Sequence, residues 1–252
     1  MTRLDPIQLE VGNLVIADLH LAVEDASSVD SFVRWLETLE GVSRLLILGD
    51  LFDYWVGMSQ ARYAGTEEAL AALARCVARG TGIDVLLGNR DFLLDAGFER
   101  RTGCRVHTEA ILGQTPDATR VLFLHGDELC TLDRRYQLLR RVLRSWPVRF
   151  VAPRLPGLAN LAARHLRRVS EKDLERKPAD EVRQQRAAAE AFVLRWGADL
   201  LVCGHAHRHR DEPLGKARWI VLDAFGGPAG VMEVLPGGAL GVSERGPEPG
   251  DG

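Results

Sequence analysis

The sequence predicts an α/β fold, because short apolar runs alternate with segments of helical periodicity along most of the chain. Five largely apolar runs of four or five residues each stop at a polar residue, a pattern typical of strands buried on both faces. They cover residues 14–17, 45–48, 83–87, 121–124 and 200–203. Two later runs, at 219–222 and 231–234, lie on either side of a Gly-Gly-Pro turn and predict closing strands.

Helical patterns separate these runs. Phe32, Leu36 and Leu39 mark one amphipathic helix, and Leu70 and Leu73 lie on a second. From about residue 128 to about 198 the alternation stops, and proline-punctuated patterns predict helices near 133–145, 157–169 and 179–196. We interpret this block as a helical insertion, or cap, within a single domain spanning residues 1–252. The Gly- and Pro-rich residues 246–252 are predicted to form a disordered tail.

Length and composition suit one large domain with a substantial core. The chain has 252 residues, of which 46% are hydrophobic and 27% charged. We found no apolar run near the roughly 18 residues that a membrane span requires. Asp5 and Pro6 lie where a signal peptide would be basic and apolar, so a cytoplasmic location is expected.

Charge is distributed unevenly. Residues 134–186 contain 15 Lys and Arg against 5 Asp and Glu, in a chain whose net charge is −3. A basic segment in an otherwise acidic protein favours contact with phosphate, nucleic acid or an anionic membrane surface. A solvated helical face is the alternative explanation.

Each of the five apolar runs ends in residue types that bind metals. In open α/β sheets, binding sites form beyond the carboxyl ends of the strands, which is where these residues are expected. The two DxH and HxH pairs have a spacing that places both side chains on one face of extended backbone. The candidate metal ligands are Asp18, His20, Asp50, Asn89, His125, His205 and His207.

Seven ligands exceed the needs of one ion. Mixed imidazole, carboxylate and amide oxygen ligands suit Mn²⁺, Fe²⁺ or Zn²⁺ better than Ca²⁺. Two such ions held close together form a clamp for in-line displacement at phosphorus. The sequence therefore predicts a two-metal hydrolase of phosphate esters or pyrophosphates.

The same motifs resemble those of the calcineurin-like metallophosphoesterases. This chain carries D-x-H at 18–20, G-D-x-x-D at 49–53, G-N-R-D at 88–91, a single His at 125 and G-H-x-H at 204–207. The resemblance implies a four-layer α/β/β/α sandwich. It also implies that Asp50 bridges two ions. One ion would take Asp18, His20, Asp50 and His207, and the other Asp50, Asn89, His125 and His205.

Within that superfamily the chain resembles the UDP-2,3-diacylglucosamine diphosphatases of lipid A biosynthesis. The segments that carry this resemblance include residues 48–57, 88–94 and 125–137, with Arg90 where many metallophosphoesterases have histidine. The resemblance implies Mn²⁺, a UDP-linked acylated sugar as substrate and peripheral association with the inner membrane. Nucleic acid is not expected as a partner.

The resemblance also implies roles for individual residues. Asn89, Arg90 and His125 would be catalytic. Substrate contacts would come from Asn89, Arg90, Asp133, Ser170, Lys177 and His205. Leu174 departs from the family pattern, which has asparagine there, and this bears on sugar or acyl specificity. The alternatives are another nucleotide or sugar-phosphate phosphoesterase of the same fold, and a non-catalytic scaffold, which would have no need of seven ligands.

Overall fold

The computed structural model describes most of the chain. The described residues are 5–22, 26–155, 157–159, 161–162, 182–243 and 245–246. Most of the predicted helix 157–169 and all but the first residue of the predicted tail 246–252 lie outside these ranges, as do Ser170, Leu174 and Lys177.

Two six-stranded sheets form the centre of the fold. The strands in chain order are β1 (Ile7–Gln8), β2 (Leu14–Ile16), β3 (Arg44–Ile47), β4 (Gly82–Leu86), β5 (Arg105–His107), β6 (Ile111–Gln114), β7 (Arg120–Leu124), β8 (Leu200–Cys203), β9 (Arg210–Leu214), β10 (Ala217–Val221), β11 (Val231–Val234) and β12 (Leu240–Val242). The first sheet has the order β12-β11-β2-β3-β4-β5 and the second β1-β6-β7-β8-β10-β9. All seven predicted strands are confirmed. Of the five others, β1, β5, β9 and β12 are edge strands, and β6 has only two large apolar residues before Gly113 and Gln114, so their apolar runs are too short or too mixed to detect.

Parallel pairing brings the five metal-motif strands into register. β2, β3 and β4 pair in parallel in the first sheet, and β7 pairs in parallel with β8 in the second. Within each sheet, the carboxyl ends of these strands therefore lie at the same edge. In α/β folds, the loops that form binding sites converge at that edge.

The helices lie on the outer faces of the two sheets and in the insertion. They are α1 (Ala26–Thr38), α2 (Ala64–Ala78), α3 (Ala96–Thr102), α4 (Arg134–Leu143), α5 (Trp146–Val151) and α6 (Arg186–Trp196). The start of α3 shows how local chemistry sets a boundary. The Asp95 carboxylate accepts hydrogen bonds from the amides of Gly97 (2.9 Å) and Phe98 (3.3 Å), and Gly103 ends the helix at a φ of 77°.

Side chains that alternate along the strands divide the core into layers. In β2, Leu14 and Ile16 pack into the cluster formed with α1 and α2, whereas Val15 packs into the cluster between the two sheets. In β7, Phe123 faces the same inter-sheet cluster, while Leu122 packs with α6. The order of layers is therefore helix, sheet, sheet, helix, which agrees with the α/β sandwich implied by the resemblance.

The insertion is only partly as predicted. The helix predicted at 133–145 is α4, and residues 157–159 and 161–162 are helical. The helix predicted at 179–196 is interrupted: residues 179–181 lie outside the described ranges, residue 182 is helical, residues 183–185 are not, and α6 begins at Arg186. Buried Gln184 lies outside the helix and donates a hydrogen bond of 2.9 Å to the Gly204 carbonyl. That tertiary contact overrides the helical pattern.

A partly buried polar triad crosses three neighbouring strands of the first sheet. Asp84 of β4 is paired with Arg44 of β3 and lies 2.7 Å from Nε2 of His107 on β5. Burial alone raises the pKa of Asp84, but the His107 hydrogen bond and the Arg44 charge outweigh it, so the net pKa lies below the usual value of 3.8. The carboxylate therefore stabilises the fold above about pH 4, and this contribution is lost as the pH falls through the lowered pKa.

We expect Asp84→Asn to lower the free energy of unfolding by about 3 kcal/mol at pH 7, since it leaves a half-buried guanidinium without its carboxylate. The loss relative to the unsubstituted chain should shrink as the pH approaches 3. Urea unfolding across pH 3–7 measures both effects. Glu37→Gln is the matched control, because its ion pair with Arg75 is exposed and should contribute little. Equal destabilisation by the two substitutions would contradict the triad's role.

Candidate metal centre

The predicted ligands converge at the carboxyl ends of the motif strands. Asp18 and His20 follow β2, Asp50 follows β3 and Asn89 follows β4, all from the first sheet. His125 follows β7 and His205 follows β8, both from the second sheet. The centre is thus built at the end of the inter-sheet layer, with ligands from both sheets.

One group contains Asp18, His20 and His207, whose ligand atoms all lie within 4.8 Å of one another. The Nε2 atoms of His20 and His207 are 3.0 Å apart, and Nε2 of His207 lies 3.8 Å from Oδ1 of Asp18. The spacing suits ligands around one cation, and these residues are among the four that the resemblance assigns to the first ion.

A second group contains Asp18, Asp50 and His125, again with ligand atoms within 4.8 Å. Nε2 of His125 lies 2.9 Å from Oδ1 of Asn89 and 3.7 Å from Oδ1 of Asp50. The other carboxylate oxygen of Asp50, Oδ2, is 3.9 Å from Nδ1 of His20. The carboxylate of Asp50 therefore has one oxygen toward each group, the orientation that a bridging ligand needs.

The ring of His125 is oriented by the backbone. Its Nδ1 lies 2.8 Å from the Leu48 carbonyl, which fixes Nδ1 as the protonated nitrogen and leaves the Nε2 lone pair facing Asn89 and Asp50. The His205 ring packs edge-on against His125, with centroids 5.1 Å apart, and the His205 amide donates to Oδ2 of Asp18 at 2.6 Å. His205 is thereby placed beside the second group.

Backbone strain is concentrated at the ligands. Six non-glycine residues in the described part of the chain have positive φ, and five of them are predicted ligands: Asp18, His20, Asp50, His205 and His207. Such conformations cost about 1–3 kcal/mol each and persist where the surrounding structure requires them. Here the positive φ angles turn the backbone sharply after each of these strands, so that side chains from different strands face the same point.

Two motif glycines leave room for the carboxylates. A Cβ at Gly88 would lie 2.1 Å from Oδ1 of Asp50, and one at Gly204 would lie 2.5 Å from Oδ2 of Asp18. No side chain fits at these distances. The glycines of the G-N and G-H motifs are therefore required by the packing of the Asp50 and Asp18 carboxylates.

The ionisation of the centre fits bound cations. Burial and the charge of Asp50 raise the pKa of Asp18, and burial raises the pKa of Asp50 to about 7. Burial and the charge of Arg90 lower the pKa of His20 to about 2, and burial lowers the pKa of His205 to about 4. Buried Oδ1 of Asp18 and Nδ1 of His20 have no hydrogen-bond partner among the described residues. The imidazoles are therefore neutral, and the neighbouring carboxylates are unfavourable to ionise without a cation. A bound divalent cation would accept the lone pairs of both kinds of ligand and offset the charge of the carboxylates.

Asp91, the last residue of the G-N-R-D motif, ties two of the loops together. Its carboxylate accepts hydrogen bonds from the amides of Leu51 (2.7 Å) and Gly88 (2.8 Å). The Arg90 amide donates to Oδ1 of Asp50 at 2.9 Å. These bonds set the Asp50 and Asn89 loops relative to each other.

Arg90 extends along the rim of the centre. Its Nε lies 3.8 Å from Oδ2 of Asp50, and its Nη1 lies 3.5 Å from Oδ1 of Asp53. The side chain is one-quarter exposed, so the guanidinium is both close to the ligands and open to solvent. This position suits an anion approaching the metals.

The other predicted substrate residues are placed differently. Buried Asp133 is the N-cap of α4, directly before its first residue. Its carboxylate accepts a hydrogen bond of 3.0 Å from the Tyr136 amide. It therefore has a capping role that explains its presence without substrate. Ser170 and Lys177 lie outside the described residues.

One set of residues beside the centre escaped the sequence analysis. Asp127, two residues after His125, is fully buried and lies 2.7 Å from Nε of Arg140 and 2.5 Å from the Tyr136 hydroxyl, both on α4. Burial alone raises the pKa of Asp127, but the charges of Arg144 and other cations outweigh it and hold the pKa below its usual value. The i, i+4 spacing of Arg140 and Arg144 is the sequence signal that could have indicated this set, because it places both arginines on one face of a helix.

Comparison with known proteins assigns the family. The model of the calcineurin-like phosphoesterase family matches residues 14–209, more than half of the chain. The chain belongs to the calcineurin-like phosphoesterases. The predicted membership is thereby confirmed. In the structure of this phosphoesterase, residues of the five motifs lie close together.

Curated relatives of this phosphoesterase cover nearly the whole chain. The UDP-2,3-diacylglucosamine hydrolase of Chromobacterium violaceum is 35% identical over 231 residues, covering 88% of this chain and 94% of that relative. The hydrolase of the same name from Aeromonas salmonicida is 35% identical over 90% of this chain and 91% of its own. A third, from Neisseria meningitidis serogroup B, is 32% identical over 89% and 95%.

Among the described residues of the phosphoesterase, none of the helices combines the length and the apolar character needed to cross a bilayer.

Proposed function

We propose that this phosphoesterase hydrolyses the pyrophosphate of UDP-2,3-diacylglucosamine, giving UMP and 2,3-diacylglucosamine 1-phosphate, with two divalent ions that are Mn²⁺ in the cell. The observation that carries the proposal is the convergence of ligand-type side chains from five strand ends at one point, with Arg90 at the rim. Relatives of this name at about 35% identity over about 90% of the chain support the substrate.

We take the division of ligands between the two ions from the family resemblance, and it is supported by Asp50, which has one oxygen toward each group described above. Asp18, His20, Asp50 and His207 would hold one ion, and Asp50, Asn89, His125 and His205 the other. When bound, such a pair of ions supplies a water of lowered pKa and neutralises charge on the phosphoryl oxygens. Water adds to the α-phosphorus, and the bond to the oxygen that bridges the two phosphates breaks.

Arg90 contributes a charge that substrate can use. Its guanidinium faces two carboxylates at 3.5–3.8 Å, distances longer than direct hydrogen bonds, so its donors remain available for a phosphate. The leaving group departs as a phosphate monoester, which needs no general acid. This agrees with an arginine, which does not release its proton, at position 90.

The test is hydrolysis by the purified chain with Mn²⁺ in ¹⁸O-labelled water. We expect UDP-2,3-diacylglucosamine to be cleaved with the label in UMP, because attack is at the α-phosphorus. UDP-N-acetylglucosamine, which lacks the acyl chains, should be cleaved at least tenfold more slowly. Label in the sugar phosphate would contradict attack at the α-phosphorus. A preference for nucleotides without acyl groups would contradict the proposed substrate and favour the alternative phosphoesterase that Leu174 suggests.

We also propose that the insertion, about residues 128–198, covers the substrate and contacts the anionic cytoplasmic face of the inner membrane. It exposes large apolar side chains beside arginines. The Trp146 and Phe150 rings stack with centroids 5.4 Å apart, and Arg154 lies over Phe150. Leu158 and Leu161 are each about two-thirds exposed and three residues apart on helical backbone. Apolar side chains with arginines nearby are typical of interfacial helices.

Vesicle binding tests this surface. Leu158→Glu should weaken binding to phosphatidylglycerol-containing vesicles at least fivefold, and binding of the parent chain should weaken with salt. Val11→Glu is the control, because Val11 is a 52% exposed aliphatic residue in the turn before β2, outside the insertion. Equal losses in the two variants, or binding insensitive to salt, would argue against a membrane-facing insertion.

A further inference from the structure

The first helix of the insertion is attached to the core by polar contacts. No residue of α4 (Arg134–Leu143) is buried. Instead, Tyr136 and Arg140 bind Asp127, and Nε2 of Gln137 donates to the carbonyls of Asp127 (2.8 Å) and Cys130 (3.1 Å). Every one of these partners lies in the loop that follows His125, so the position of α4 is linked directly to a metal-binding loop.

Arg144, the C-cap of α4, reaches a second metal-binding loop. Its Nη2 donates to the carbonyls of Leu87 (3.1 Å) and Gly88 (3.0 Å), the two residues that precede Asn89. The same guanidinium lies 3.7 Å from Oδ2 of Asp127 and 3.9 Å from Oε1 of Glu128. One side chain therefore bridges the loop that carries Asn89 and the loop that carries His125.

Other bonds hold different groups of the Asn89 loop. Asp91 and Asp50 accept hydrogen bonds from the amides of Gly88 and Arg90, and the Trp55 amide donates to the Arg90 carbonyl at 3.0 Å. Arg144 holds the two carbonyls that precede Asn89. Asn89 and His125 are 2.9 Å apart at their ligand atoms, so a small displacement of either loop changes the site between them.

We propose that Arg144 is a positioning residue for the second metal site: by bridging the carbonyls before Asn89 and the acids after His125, it couples the insertion to the affinity for one of the two ions. Arg144 touches neither ion nor substrate in this scheme. The proposal rests on the two-ion centre proposed above. It predicts unequal effects on the two ions, which a merely structural residue would not produce.

The test is titration of the metal-free protein with Mn²⁺, followed by electron paramagnetic resonance, which distinguishes isolated from spin-coupled ions. Arg144→Met keeps the stem of the side chain and removes the donors. We expect the second ion to bind at least tenfold more weakly, with the first unchanged and the coupled signal reduced. Arg144→Lys should recover part of the affinity, since an ammonium can reach the carbonyls but cannot also bridge to the acids. Arg141→Met, at an exposed position on the same helix, should match the parent chain.

The outcomes separate the two proposals. If the parent chain binds fewer than two Mn²⁺ ions, the two-ion centre itself is wrong. If the parent binds two and Arg144→Met binds both with parental affinity, the positioning role is wrong. Equal weakening of both ions would also overturn it, because that pattern indicates general destabilisation. If the methionine variant does not fold, Arg144→Lys decides: parental affinity for the second ion contradicts the proposal, and selective weakening supports it.

Discussion

Asp50→Asn is expected to abolish hydrolysis, with a loss of about 10³-fold or more in kcat. The substitution keeps the volume of the side chain but removes the charge and the second carboxylate oxygen, so the carboxylate that has one oxygen toward each group of ligands is lost. Metal ions stabilise the charge of the transition state by several kcal/mol, and each 1.4 kcal/mol of this stabilisation corresponds to a tenfold change in rate. Elemental analysis should find at least one ion missing.

Stability separates loss of metal from loss of fold. In the metal-free state, Asp50→Asn should be no less stable than the parent chain at pH 8. Burial raises the pKa of Asp50 to about 7, so at pH 8 the folded protein holds a carboxylate that is costly to ionise. Glu68→Gln, an exposed acid on α2, is the control for loss of one negative charge. Two full metal sites with parental activity in Asp50→Asn would rule out the bridging role.

Arg90→Ala is expected to keep both ions and to lose about 10²-fold or more in kcat/KM for the pyrophosphate substrate. Removing one preorganised donor to developing charge typically has this effect. Arg90→Lys should recover little, because a point charge cannot reproduce the planar fork of a guanidinium. Steady-state kinetics with metal analysis measures both, and Arg100→Ala, at an exposed arginine of α3, serves as the control.

Two results would contradict this role. Parental kinetics in Arg90→Ala would show that position 90 does not contact substrate. Loss of a metal ion in the same variant would show instead that Arg90 acts on the ligands, through its proximity to Asp50.

Sequence patterns predicted the central strands because their signal is local. The runs that became β2, β3, β4, β7 and β8 are apolar at nearly every position, since both faces of these strands are buried. Edge strands gave no such signal. β9, for example, alternates exposed and partly buried residues and contains Pro213. Its pairing with β10 depends on tertiary contact, which a single segment does not encode.

The insertion marks the limit of periodicity. The pattern of α4 is a helical one, and its bounds were predicted to within two residues. The start of α6 was not, because Gln184 and Gln185 bind the backbone of distant loops: Gln184 donates to the Gly204 carbonyl, and the Gln185 amide donates to the Leu129 carbonyl. These hydrogen bonds form only because the tertiary structure brings the two loops close to Gln184 and Gln185, so the helical pattern of the segment does not predict them.

The sequence by itself determined the α/β class, the ligand types and their order along the chain, because strand burial and metal preference are properties of short segments. Only the tertiary structure decided how these residues act together. It placed Asp50 with an oxygen toward each ligand group and oriented the His125 ring with the Leu48 carbonyl. It also brought Arg144 from the insertion to the carbonyls of Leu87 and Gly88, which lie 57 and 56 positions away in the chain. Distances between segments so far apart are set by sheet pairing and packing, which no local pattern contains.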